Sequence, residues 1–157
     1  MKKLIHNPSI IVASLLMLLI PSICLSAQEI ARDGHFVAYD NGTVRDTRTG
    51  LIWASKDSGQ DVTWQEAKAY CENYRGGGYT DWRMPTSDEL EGLYNVNKRN
   101  RYGYPVTELI GLSQCCPWSS ETRGSEAALF SFYYGKRNWF LQSRTRNCRA
   151  LPVRAGN

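Results

Sequence analysis

The N-terminus constrains everything that follows it. Lys2 and Lys3 precede Ile10–Ile20, eleven residues that are apolar apart from Ser14, and Pro21 and Ser22 then lead to the small residues Ser26 and Ala27. A charged start, an apolar middle and a small-residue end are the parts of an export signal. Eleven residues reach only about half of the roughly 20 that a spanning helix needs. The reading is a signal peptide over 1–27, cut after Ala27, with no stable membrane insertion afterwards. A lipoprotein would keep Cys24 as its acylated first residue, but Ile23 stands where such sites carry a small residue. The chain left to fold is then residues 28–157, the size of a single domain, outside the cytoplasm.

That compartment sets the meaning of the cysteines. Cys71, Cys115, Cys116 and Cys148 remain after cleavage, an even number in an oxidising setting, so two disulfides are expected and three connectivities are open. A structural zinc site is not expected, because there is no Cys-x-x-Cys pair and His35 is the single histidine beyond the signal. No metal and no cofactor is expected from these residues.

Local signals give an α+β order. Asp40-Asn41-Gly42 and Thr49-Gly50 are turns around a hairpin running from Tyr39 to Trp53, while 28–38 reads as a leader into the fold. Thr63-Trp64-Gln65-Glu66 and Thr86-Ser87-Asp88-Glu89 are capping boxes that each open a short helix. Trp64, Ala67, Tyr70, Cys71 and Tyr74 follow at helical steps, and Gly76-Gly77-Gly78 stops the run. Pro117–Ser120, Ala127–Tyr134, Asn138–Gln142 and Cys148–Val153 read as strands. Helices early and strands late make an α+β domain.

In Gly77–Thr86, Asp81 and Arg83 flank Trp82 in one tight loop, where carboxylate and guanidinium are able to hold backbone amides or each other. This is a structural network rather than a catalytic one. Trp53, Trp64, Trp82 and Trp118 read as core, each with one N–H to place.

Those residues also carry a resemblance. Asn41-Gly42-Thr43-Val44 with Leu51-Ile52-Trp53, Trp64 with Tyr70-Cys71, the block Gly77-Gly78-Tyr79-Thr80-Asp81-Trp82-Arg83-Met84-Pro85-Thr86, Trp118-Ser119-Ser120 and Arg149 with Val153-Arg154 occur in order. The chain from about 36 to 155 resembles the Lcl C-terminal domain family, named for a bacterial collagen-like adhesin. The resemblance implies a C-type-lectin-like fold, two short helices packed on a small twisted antiparallel sheet with long loops. By analogy with such folds it implies a Cys71–Cys148 bridge, leaving Cys115–Cys116 as a vicinal bridge or as partners for another chain, with crossed pairings open.

Charge points toward a partner. Residues 28–97 hold seven basic and twelve acidic residues, whereas 98–157 hold ten and three. Such a bias suits an anionic ligand. Arg99 and Arg101, then Lys136, Arg137, Arg144 and Arg146 around Trp139, are the candidate ligand-binding residues, because arginine forks take sulfate, phosphate or carboxylate in pairs. Tyr102, Tyr104, Tyr133 and Tyr134 are candidates to stack on sugar rings.

No phosphate loop, dinucleotide fingerprint, zinc-protease or serine-hydrolase motif occurs, so an enzyme is not expected. The family's namesake binds sulfated glycosaminoglycans, and the resemblance therefore implies an anionic glycan as partner. A docking role toward an envelope or surface protein is the alternative. A cysteine-based oxidase like the formylglycine-generating enzymes, distant sharers of the lectin-like fold, is a weaker one. Nucleic acid is not expected for an exported chain, and nothing in the residues sets an oligomeric state.

Overall fold

The structure is a computed structural model that describes residues 26–156, so all but the last two residues of the expected signal peptide, 1–27, lie outside the described residues. The chain runs β1 Glu29–Asp33, β2 Phe36–Tyr39, β3 Thr43–Asp46, β4 Leu51–Ala54, α1 Trp64–Asn73, α2 Ser87–Leu93, β5 Cys116–Arg123, β6 Glu126–Ser131, β7 Lys136–Leu141, β8 Cys148–Arg149 and β9 Val153–Ala155. It is α+β with two short helices, as the sequence indicates. Two expectations change. Residues 28–38 are no leader but form β1 and most of β2, so four strands precede the first helix. One small sheet becomes two, ordered β1-β2-β3-β4-β9 and β7-β6-β5-β8, with β8 parallel to β5.

The first sheet is a meander closed by the C-terminal strand. Asn41 Oδ1 accepts from the Thr43 amide and hydroxyl, and Gly42 takes φ 79°, so the β2–β3 turn forms from its own side-chain chemistry. Both capping boxes are complete: Thr63 and Thr86 accept from the amides of Glu66 and Glu89, and each glutamate returns to its threonine.

Successive strand residues face opposite sides, and the second sheet uses both. Leu129 and Ala127 join Trp118 and Cys148 against Ala67 and Cys71 of α1. Phe130 instead joins Leu90 and Leu93 of α2, together with Phe36, Val44 and Trp53 of the first sheet. The helices thus cover opposite faces of the second sheet, and α2 packs in the core shared by both sheets. β7 is left as an edge strand.

Candidate functional site

Folding neutralises part of the basic half. Lys98 pairs with Asp33, Arg123 with Glu126, Arg149 with Asp57 and Asp61, and Arg154 grips Asp81 through two bonds of 2.7 and 3.0 Å. Asp33, Asp57, Asp61 and Asp81 come from the acidic half, so charge asymmetry in sequence becomes complementarity in the fold. Among the described residues, Arg99, Arg101, Lys136, Arg137, Arg144 and Arg146 have no carboxylate within salt-bridge distance.

These six do not form one face. Arg99 caps the carbonyls of Val96 and Lys98. Arg101 lies against the Tyr102 ring, 4.7 Å from its centroid, and lines a small cavity with Lys56 and Glu108. On β7 the pleat divides the rest. Arg137 and Trp139 lie opposite Phe130 and Ala128, and Trp139 is flanked by the guanidinium carbons of Arg123 at 4.4 Å and Arg137 at 5.8 Å. Lys136, Asn138 and Phe140 lie opposite Ser131, Leu129 and Ala127, on the other side of the strand. Arg146 is exposed, and its carbonyl accepts from the Cys148 thiol.

On that second side a groove of about 300 Å³ opens. Leu129, Ser131, Asn138 and Phe140 line it from the sheet, and Tyr133 and Tyr134 from the β6–β7 turn. Cys115, Cys116, Arg144 and Asn147 complete it. Tyr133 and Tyr134 are 66% and 75% exposed. The Lys136 ammonium stands 5.8 Å from the Tyr134 ring, at the rim. The Arg144 guanidinium carbon lies 4.2 Å above the Phe140 ring, and its Nε is buried with no hydrogen-bond partner. Asn147, next along the wall, takes φ 61°, the left-handed conformation that side chains pay to adopt. Tyr104 lies beneath Tyr133, ring centroids 5.4 Å apart, and burial followed by the Tyr133 hydroxyl pushes its phenol up to about 12. It stays neutral.

The remaining candidates are structural. Trp53, Trp82 and Trp118 are buried and Trp64 is half-buried. The indoles of Trp64, Trp82 and Trp118 donate to Ser119, Gly76 and Val62 carbonyls, while Trp53 Nε1 finds no partner. Asp81 and Arg83 do not hold each other. Asp81 reaches Arg154 of β9, and Arg83 forks onto Glu89 of α2 at 2.8 and 2.6 Å, so their loop is pinned from both sides.

The cysteines divide unequally. Cys115 and Cys116 form a vicinal disulfide. The Cys71–Cys148 bridge implied by the lectin analogy is absent, because both residues stand as buried thiols within one apolar cluster. Each packs there as a small apolar side chain. Burial pushes Cys71 up to about 12 and Cys148 up to about 11, with Arg144, by its charge and a side-chain hydrogen bond, and more weakly Arg149 pulling the latter down.

Sequence reasoning missed Arg123, Asn138 and Asn147. Arg123 belonged to the basic half, but its place beside Trp139 arises from a β5–β6–β7 register that composition does not show. Asn147 carries no signal beyond its tolerance of positive φ.

Fold and groove together define a two-sheet α+β domain whose second sheet edges a cationic, aromatic-lined groove. The Lcl C-terminal domain profile matches residues 42–154, most of the chain, and the chain belongs to that family. The family gives it the character of a surface, adhesin-type module. No curated protein matches the chain. Among the described residues no helix is long and apolar enough to cross a membrane.

Proposed function

We propose that the chain is an exported, non-catalytic module of the cell envelope or surface, C-type-lectin-like in fold, that binds an anionic glycan in the Arg144 groove. Arg144 carries the reading. Its guanidinium lines the groove with no carboxylate partner among the described residues, and the terminal nitrogens of the fork suit two oxygens of a sulfate or carboxylate. The Phe140 ring lies against the guanidinium. Tyr133 and Tyr134 offer exposed rings for sugar faces, and Lys136 adds charge at the rim. The groove's volume is at the lower end of the roughly 300–1,000 Å³ of small-ligand sites, so it takes one end or one segment of a longer glycan. Arg137, on the far side of β7, acts by steering. His35 is remote from all of this, lining a separate cavity with Asp33 and Lys98, which favours a binding role over acid–base catalysis.

The test is retention on immobilised heparin across a salt gradient, beside a variant with Lys136, Arg137, Arg144 and Arg146 changed to Ser. A charge-led glycan contact weakens steeply with salt. Retention above that of a charge-matched control, lost in the variant, is expected. Elution at low salt with no difference between the two would instead favour docking to an envelope or surface protein.

A further inference from the structure

The vicinal bridge has a thiol neighbour. Cys116 on β5 and Cys148 on β8 are register partners in a parallel ladder. Neighbouring strands lie about 4.8 Å apart, inside the roughly 4.4–6.8 Å between α-carbons that a disulfide spans. Cys148 is a free, fully buried thiol, and Cys116 packs against its cluster. On the other side of the bridge, Cys115 belongs to the core shared by the two sheets. The next ladder pair, Pro117 and Arg149, holds the two strands in step, and Arg149 is locked to Asp57 and Asp61.

We propose that Cys148 and the Cys115–Cys116 bridge form a thiol–disulfide exchange site, with the Cys116–Cys148 cross-strand disulfide as its second state. Cys148 gives up its proton and its thiolate attacks Cys116 Sγ. The Cys115–Cys116 bond breaks as the Cys116–Cys148 bond forms, and Cys115 leaves as a thiolate that takes up a proton. One disulfide and one thiol stand on each side, so no oxidant or reductant is consumed. Burial is the largest influence on Cys148 and opposes the attacking thiolate; Arg144 favours it by charge and by a side-chain hydrogen bond, with Arg149 a weaker second, while Asp61 adds to the opposition. Because Cys115 and Cys116 both line the groove, the exchange replaces a closed Cys–Cys ring in its wall by a free Cys115 thiol and a cross-strand bridge. Buried Cys71 is a spectator in this step.

Disulfide mapping tests the proposal. The full-length chain, equilibrated without oxygen with a trace of a small thiol, is quenched with an alkylating reagent, digested and analysed by mass spectrometry. The expected result is a Cys116–Cys148 linked peptide together with alkylated Cys115, in addition to the vicinal product. Cys148→Ser should abolish that linked peptide and leave the vicinal bridge in place. Cys115→Ser, oxidised after purification, should trap Cys116–Cys148 and leave only Cys71 to be alkylated among these residues. Wild-type chain that yields only Cys115–Cys116, with or without Cys71–Cys148, overturns the proposal even if Cys115→Ser fails to fold. So does folded Cys115→Ser with Cys116 and Cys148 both alkylated.

Discussion

Replacing Arg149 by Leu removes the hub that holds three segments together. Arg149 is 7% exposed, and its Nε donates to Ser113 Oγ at 3.0 Å with Asp57 Oδ2 3.8 Å away. Asp57 is buried as well, so the substitution leaves a carboxylate without its cation, a change that costs about 3–5 kcal/mol when the stranded charge is wholly unsupported. Asp57 keeps support: the Ser113 amide donates at 2.6 Å, the Ser113 hydroxyl at 2.9 Å and the Gly59 amide at 2.9 Å. The expected loss is therefore nearer 2–3 kcal/mol, on the order of 10 °C in Tm for a domain of this size. Urea unfolding at neutral pH reads it as a shift in midpoint at constant slope. Adding Asp57→Asn to Arg149→Leu removes the stranded charge and should recover about 1 kcal/mol. A single variant that loses under about 1 kcal/mol, or a double variant that loses the sum of both singles, would refute the reasoning.

Burial pushes the Glu89 carboxyl up, but the Arg83 fork and the Thr86 amide outweigh it and hold the pKa below its usual value. A lowered folded pKa gives stability that is present above the unfolded value of about 4.3 and lost as pH falls toward the folded value. Glu89→Gln should flatten that acid limb in urea midpoints, and a limb as steep as wild type would count against the assignment. Gly135→Ala places a methyl 2.6 Å from Tyr94 Cε1 at φ 62°, so a loss of at least about 1 kcal/mol is expected in thermal melts; an unchanged Tm contradicts it. Trp118→Phe leaves the buried Val62 carbonyl, now bonded at 2.9 Å, without its donor. That costs about 1–3 kcal/mol before any lost packing, and chemical denaturation showing less than about 0.5 kcal/mol would contradict it.

The parts of this fold that were legible in the sequence are those made within a few residues. Both helix starts were, because threonine and glutamate three residues apart satisfy each other's amides wherever the chain goes. The Asn41–Gly42 turn was, for a similar reason. β1 was not: Glu29–Asp33 is a polar strand, exposed along nearly all its length, and its pairing with β2 rather than its own pattern makes it a strand. The split into two sheets was hidden as well, since it depends on β9 returning a hundred residues later to pair with β4.

The candidate site divides in the same manner. The surplus of cations was visible in composition, but which of them folding would neutralise was not, because Asp81–Arg154 and Asp57–Arg149 are long-range pairs. The alternation of β7 does divide Lys136 from Arg137 by period alone. Which of the two would face the groove depends on β6, and so does the place of Cys115–Cys116 beside Arg144. The lectin analogy paired Cys71 with Cys148 across the cluster they share, whereas the β5–β8 ladder puts Cys148 next to Cys116.

Calorimetric titration of a short heparin oligosaccharide into wild type, Arg144→Gln and Arg137→Gln tests the groove most directly. Both variants remove one unpaired cation from the neighbourhood of β7, so general charge loss is matched, but only Arg144 lines the groove. Arg144→Gln should weaken binding roughly tenfold or more, the worth of a charge-assisted hydrogen bond, while Arg137→Gln stays within about threefold and differs chiefly in salt dependence. Equal losses in the two variants, or a loss confined to Arg137→Gln, would move the ligand out of the groove and contradict the account.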